Sequence, residues 1–154
     1  MSSRGFYDIT EKIKETLLDS PHCNTVTTGD LTKLDLAKQT MYPLSHIIIN
    51  NVSQEEQVLR FNISVACMDL VDVNKDETVD VFRGNNNEQD VLNTQLAVLN
   101  ELVERLRSGN LYTQKYQLDG VVNCEPFYDR FDNEVAGWVG TMDILIDNGI
   151  NICT

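Results

Sequence analysis

The sequence predicts an α+β domain in which an antiparallel or mixed β-sheet is covered by an N-terminal helix and one long amphipathic helix. Three observations carry this. Leu59, Phe61, Ile63, Val65 and Cys67 alternate with Arg60, Asn62, Ser64 and Ala66, the period-two pattern of a half-buried strand. Leu92, Leu96, Leu99, Val103 and Leu106 step by four, three, four and three, the apolar stripe of a helix lying on a surface. Strand-like and helix-like segments follow one another without a repeat or a linker, so residues 1–154 are read as a single domain.

The elements follow in order. Phe6, Ile9, Ile13 and Leu17 place a helix over residues 6–18, with Glu11, Lys12 and Glu15 facing out, and Ser20-Pro21 ends it. Residues 24–28 are a short β-prone run closed by Gly29-Asp30, and Leu31 to Tyr42 is a short helix or irregular segment. Pro43 to Asn50 is a strand containing Ile47-Ile48-Ile49 and closing at Asn50-Asn51. Residues 51–57 connect it, as a hairpin, to the strand that opens at Val58 and runs to Met68. A long polar stretch from Asp72 to Asn87 leads into the second helix, Glu88 to Ser108, whose stripe is widened by Val91, Val98 and Leu102. Arg105 and Arg107 suit its C-terminal dipole, and Gly109 suits the position beyond its last turn. The remainder is β: Leu111 to Asp119, a tight turn at Asp119-Gly120, Val121 to Phe127, and Trp138 to Ile146, the last buried on both faces.

Composition narrows the functions. Twelve Lys and Arg stand against 24 Asp and Glu, a formal charge of -12 that repels nucleic-acid phosphates and anionic headgroups. That argues against a DNA-binding module but does not exclude a wall past which DNA slides without sticking. Four scattered cysteines, with no signal peptide before them, are expected as reduced thiols of a cytosolic product. No run approaches the ~20 apolar residues of a membrane span.

Chemistry finds little footing. His22 beside Cys23 is a sequence neighbour, an arrangement ill suited to the cross-site geometry of a dyad, and it lacks the second pair that zinc needs. Asp72, Asn74, Asp76, Thr78 and Asp80 occupy alternate places of a calcium loop, so Asp72, Asn74, Asp76 and Asp80 are the candidate metal ligands. Glu77 stands where that loop needs glycine, and Arg83 where it needs a bidentate glutamate, so a solvated acidic loop is the stronger reading. No catalytic residue and no cofactor are assigned. Aromatics interleaved with charges at Phe127, Tyr128, Asp129, Arg130, Phe131 and Trp138 form an interface candidate, with closure of one end of the core as the structural alternative. Asp76, Glu77 and Arg83 are further interface candidates, on a loop long enough to reach a neighbour.

The order of elements, the Asp129-Arg130-Phe131 to Ala136-Gly137-Trp138 text, Tyr42-Pro43-Leu44 before a strand and the closing Asn151-Ile152-Cys153 resemble the tail terminator and neck (head-tail connector, tail completion) proteins of tailed bacteriophages. The resemblance implies a structural virion protein without enzyme activity, made in the host bacterial cytoplasm. It implies a homo-hexamer or homo-dodecamer ring that joins head and tail and touches tail tube, portal or neck proteins. DNA would pass its acidic channel without sequence-specific binding, and no membrane is involved. Two other readings share the composition: an acidic cytosolic adaptor or assembly chaperone holding a basic partner, and a small metal-dependent hydrolase built on Asp72 to Asp80.

Overall fold

A computed structural model of the chain describes residues 5–29, 42–70, 88–108, 116–130 and 135–147. Seven elements run α1 (Gly5–Leu18), β1 (Thr25–Thr28), β2 (Leu44–Glu55), β3 (Val58–Leu70), α2 (Glu88–Arg107), β4 (Tyr116–Arg130) and β5 (Val135–Asp147). The five strands make one mixed sheet in the order β1-β2-β3-β5-β4, with β1 parallel to β2 and every other pair antiparallel. The fold is α+β. Residues 1–4, 30–41, 71–87, 109–115, 131–134 and 148–154 lie outside the described residues.

Alternation along β3 sorts the sheet into two faces. Phe61, Ile63, Val65 and Cys67 look into the main core with Ile47 of β2 and Met142, Ile144 and Ile146 of β5. Ile9, Ile13 and Leu17 of α1 and Val98, Leu99, Leu102, Val103 and Leu106 of α2 close that core from above. Each fully buried aliphatic side chain contributes roughly 1.5–3 kcal/mol, so this face supplies most of the driving force for folding. Ser20 receives the His22 amide at 3.3 Å as α1 ends. Arg105 near the end of α2 reaches Asp19 at 3.1 Å, tying the two helix C-termini together.

α2 buries the face its sequence predicts except at one edge. Val91, Val98, Leu99, Leu102, Val103 and Leu106 are buried together with Gln95, while Leu96 is 37% exposed. At 100° per residue the buried face centres on Gln95, between Leu99, Val103 and Leu106 on one side and Val91, Val98 and Leu102 on the other. Two contacts of β5 hold the helix there. Leu99 rests directly over Gly140, where an added Cβ would lie 2.9 Å from its Cδ2. The Trp138 indole donates from Nε1 to the Leu92 carbonyl at 2.8 Å.

The turns depart from expectation in two places. Asn50-Asn51 does not close β2; a bulge between Ile49 and Asn51 absorbs the irregularity and pairing with β3 continues to Glu55↔Val58. The turn is Glu56-Gln57, with Gln57 at φ 65°, a conformation its sequence does not announce. Likewise Asp119-Gly120 is no turn. β4 runs straight through as one strand, and between Asp119↔Asp143 and Asn123↔Thr141 it carries extra residues as a bulge, with Gly120 at φ 74°. β5 is buried on both faces only where it begins, at Val135 and Ala136; further along, Thr141 is exposed and Asp143 and Leu145 are half-buried.

Candidate functional site: the outer face of the sheet

The face opposite the helices is divided along the strands. At one end Leu44, Ala66, Met68, Phe127 and Val135 form a second apolar cluster with Tyr42, next to the cis Tyr42–Pro43 bond. His46 sits within this end, 1% exposed, with both ring nitrogens engaged. Nε2 donates to the Gly29 carbonyl at 2.8 Å, which leaves Nδ1 to accept from the Thr27 hydroxyl at 2.6 Å. The imidazole thus fixes the end of β1 against β2.

At the other end the face is a polar ladder that crosses four strands. Asn50, placed by the bulge, donates from Nδ2 to Asn62 Oδ1 at 2.9 Å and to Ser64 Oγ at 2.8 Å. Ser64 and the Thr141 hydroxyl are 3.1 Å apart, and Asn62 donates to Asp143 at 2.8 Å. Arg60 is the hub: its Nε meets Glu55 at 2.7 Å, and its Nη1 meets Asp119 at 2.5 Å and Asp143 at 3.7 Å. Three carboxylates from β2, β4 and β5 therefore converge on one guanidinium from β3, and the hydrogen bonds that Arg60 donates to Glu55 and then Asp119 raise its pKa further. Position dictates this: Glu55, Asp119 and Asp143 stand beside Arg60 only because the pairings Ser53↔Arg60, Arg60↔Leu145 and Asp119↔Asp143 set those strands in register. The ladder is a surface whose polar groups bond to one another and in which three carboxylates face one guanidinium.

The thiols lie on the other side, under the helices. Cys23 donates to Ser45 Oγ at 3.4 Å, and that hydroxyl approaches Cys67 at 3.6 Å. Burial raises the pKa of Cys23, Cys67 and Cys124, Cys67 to about 12. Thiols held protonated are poor nucleophiles and poor metal ligands. His22 is exposed in the turn after α1.

Of the residues singled out from sequence, Phe127 is 5% exposed within the second apolar cluster, and Trp138 is half-buried and committed to Leu92. Tyr128, Asp129 and Arg130 continue β4, but their side chains are outside the described residues, as is Phe131. Asp72, Asn74, Asp76, Glu77, Asp80 and Arg83 are also outside them. Among the described residues no group of three or more His, Cys, Asp or Glu is placed to hold a metal ion, and no helix is long and apolar enough to cross a membrane. Sequence reading missed the Arg60 ladder altogether. Its available signal was a lone arginine, with Asn62 and Ser64, on the polar side of an alternating strand. No protein-family model and no curated protein matches the chain.

Proposed function

We propose that this chain is a structural subunit of a homomeric ring in the neck or tail of a tailed bacteriophage, joining head to tail and letting DNA pass. The observation that carries the reading is the polar end of the outer sheet face, a self-bonded ladder in which the Arg60 guanidinium is neutralised by three carboxylates. Among the described residues this ladder offers phosphate oxygens no unpaired cation, and a formal charge of -12 per copy repels a DNA backbone. The same property serves a channel wall, across which polyanion must move without adhering. A ring follows from identical heterologous contacts that close by rotation, to six or twelve copies that meet tail tube, portal or neck proteins.

Native mass spectrometry of the purified chain, alone and with particle components, tests this. The expected result is a discrete six- or twelve-copy species, with a matching copy number in the virion. A particle that contains no copy of the chain, or a ring whose channel is lined mainly by Lys and Arg, would refute it.

A further inference from the structure

α1 carries apolar side chains on the side that it does not bury. Tyr7 is 56% exposed and Leu18 44% exposed, two of the five large apolar side chains exposed among the described residues. At about 100° per residue, positions 7, 11, 14 and 18 fall within about 60° of one another. Their centre lies about 145° round the helix from that of buried Ile9, Ile13, Thr16 and Leu17. The outward stripe therefore reads Tyr7, Glu11, Lys14, Leu18, an apolar residue at each end and one charge of each sign between them. Lys14 is exposed and Glu11 half-buried, and neither is in an ion pair among the described residues.

We infer that this face of α1 docks antiparallel on the same face of a second copy, about a two-fold axis. The stripe is self-complementary in that arrangement. Positions 7 and 18, and positions 11 and 14, are placed symmetrically about a level midway between Lys12 and Ile13. With the axis there, Tyr7 meets Leu18 of the second copy at each end of the contact, and Glu11 stands level with Lys14 of the second copy in its middle. For helix axes about 9–10 Å apart, the Cβ atoms of Glu11 and of that Lys14 lie about 5 Å apart, nearer than the about 6 Å between the two copies of either residue. Parallel docking would set Glu11 on Glu11 and Lys14 on Lys14, so the charges select the antiparallel orientation.

Charge order also decides the occupant. A stripe with one charge of each sign prefers neither an acidic nor a basic partner; its complement is a stripe with the same charges reversed, which a second copy turned end for end supplies. Exposed ion pairs are individually weak and a 14-residue helix is a small contact. Burial of Tyr7 and Leu18 therefore supplies the attraction, while Glu11 and Lys14 fix partner and orientation. Asp8 and Glu15 stand about 70–90° to the side of the contact line, and the formal -12 per copy opposes association. Salt screens both over ~8 Å at physiological ionic strength, so the dimer belongs to moderate salt and high protein concentration.

This contact goes beyond the ring reading and does not depend on it: it is two-fold, whereas ring contacts run head to tail. Sedimentation equilibrium of the chain from about 10 µM to about 1 mM, in about 150 mM NaCl, tests it, with thermal unfolding as the check on folding. Wild type is expected to move towards twice the 17.5 kDa chain mass. Glu11→Lys and Lys14→Glu each set like charges against one another and are expected to raise the dimer dissociation constant at least tenfold, as is Leu18→Ser. Combining Glu11→Lys with Lys14→Glu is expected to restore the wild-type constant. An equimolar mixture of the two single charge variants, positive stripe on negative stripe, is expected to associate at least as tightly as wild type. A wild type that stays monomeric at about 1 mM overturns the inference, as does a double variant or a mixture that associates no better than the single variants. Dimers without a larger ring would leave this contact standing and remove the ring; a six- or twelve-copy ring indifferent to every charge reversal would do the reverse.

Discussion

Gln95 stands at the centre of the buried face of α2, 1% exposed, and neither its amide oxygen nor its amide nitrogen has a hydrogen-bond partner among the described residues. Buried polar groups without partners retain their desolvation penalty, roughly 1–3 kcal/mol per group. Replacing the amide with a hydrocarbon of similar volume removes that penalty and adds burial, so Gln95→Met and Gln95→Leu are expected to stabilise the fold by about 1–3 kcal/mol. Methionine follows the glutamine stem most closely and should gain the most. Equilibrium urea unfolding, followed by the fluorescence of the one tryptophan, Trp138, reads this directly. With a slope of about 1–3 kcal/mol per molar, a gain of ~2 kcal/mol moves the midpoint up by roughly 1 M at unchanged slope. A midpoint that stays put or falls in both variants refutes the reasoning. It would mean that the amide is bonded in solution, to an ordered water or after rotation of the helix, and that its burial carries no penalty.

Three further predictions follow. Removing the ladder's hub by Arg60→Met leaves Glu55, Asp119 and Asp143 facing one another. The expected loss is about 1 kcal/mol, since the partners are partly solvated, and it should shrink as NaCl rises from 20 mM to 500 mM in parallel urea titrations. Asp69 is half-buried on β3 and burial raises its pKa above the ordinary 3.8, the Leu70 amide offsetting only part of this. The folded state therefore binds the proton more tightly than the unfolded chain, and stability falls as pH rises from 3.8 towards the raised native value. Asp69→Asn is expected to be more stable than wild type at pH 7 and to lose that slope between pH 4 and 7; a variant equal to or weaker than wild type at pH 7 speaks against it. Thiol alkylation mapped by peptide mass spectrometry at pH 8 should rank Cys67 slowest in the native protein, with its rate restored in 6 M guanidinium; rapid native labelling of Cys67 would contradict its burial and raised pKa.

The sequence was most legible where one rule governs an element. Ile9, Ile13 and Leu17 are all buried as their spacing requires, and the alternation of β3 falls on the two faces of the sheet without slippage. Legibility failed where a residue type serves two purposes. Asn50-Asn51 and Asp119-Gly120 are turn-forming pairs, but left-handed or irregular backbone serves a bulge as well as a turn, and the longer range pairing with β3 and β5 decided for the bulge. Along α2 one position departs from the pattern: periodicity ranks Leu96 above Gln95, yet Gln95 is buried and Leu96 is 37% exposed, because Gly140 under Leu99 and the Trp138 indole on the Leu92 carbonyl fix the rotation of the helix, which no helical sequence records. The ladder could not be read in advance at all, since it unites Glu55, Arg60, Asp119 and Asp143 from four strands whose register only the folded sheet defines.

Two glycines of β5 set how closely its neighbours approach. At Gly137, paired with Met68, a Cβ would lie 2.0 Å from the Cys67 carbonyl oxygen, so backbone approaches backbone with no room for a side chain. Gly140, paired with Val65 on the helical face, lies beneath Leu99 and lets α2 close in, so the core there has its geometry fixed by contact. The outer face is divided: Leu44, Ala66, Met68, Phe127 and Val135 are buried at one end, whereas the other end takes its order from hydrogen bonds and one shared guanidinium, interactions satisfied within the surface itself. That polar end holds its shape through its own bonds, the property that the proposed ring asks of a wall that stays wet and repels polyanions.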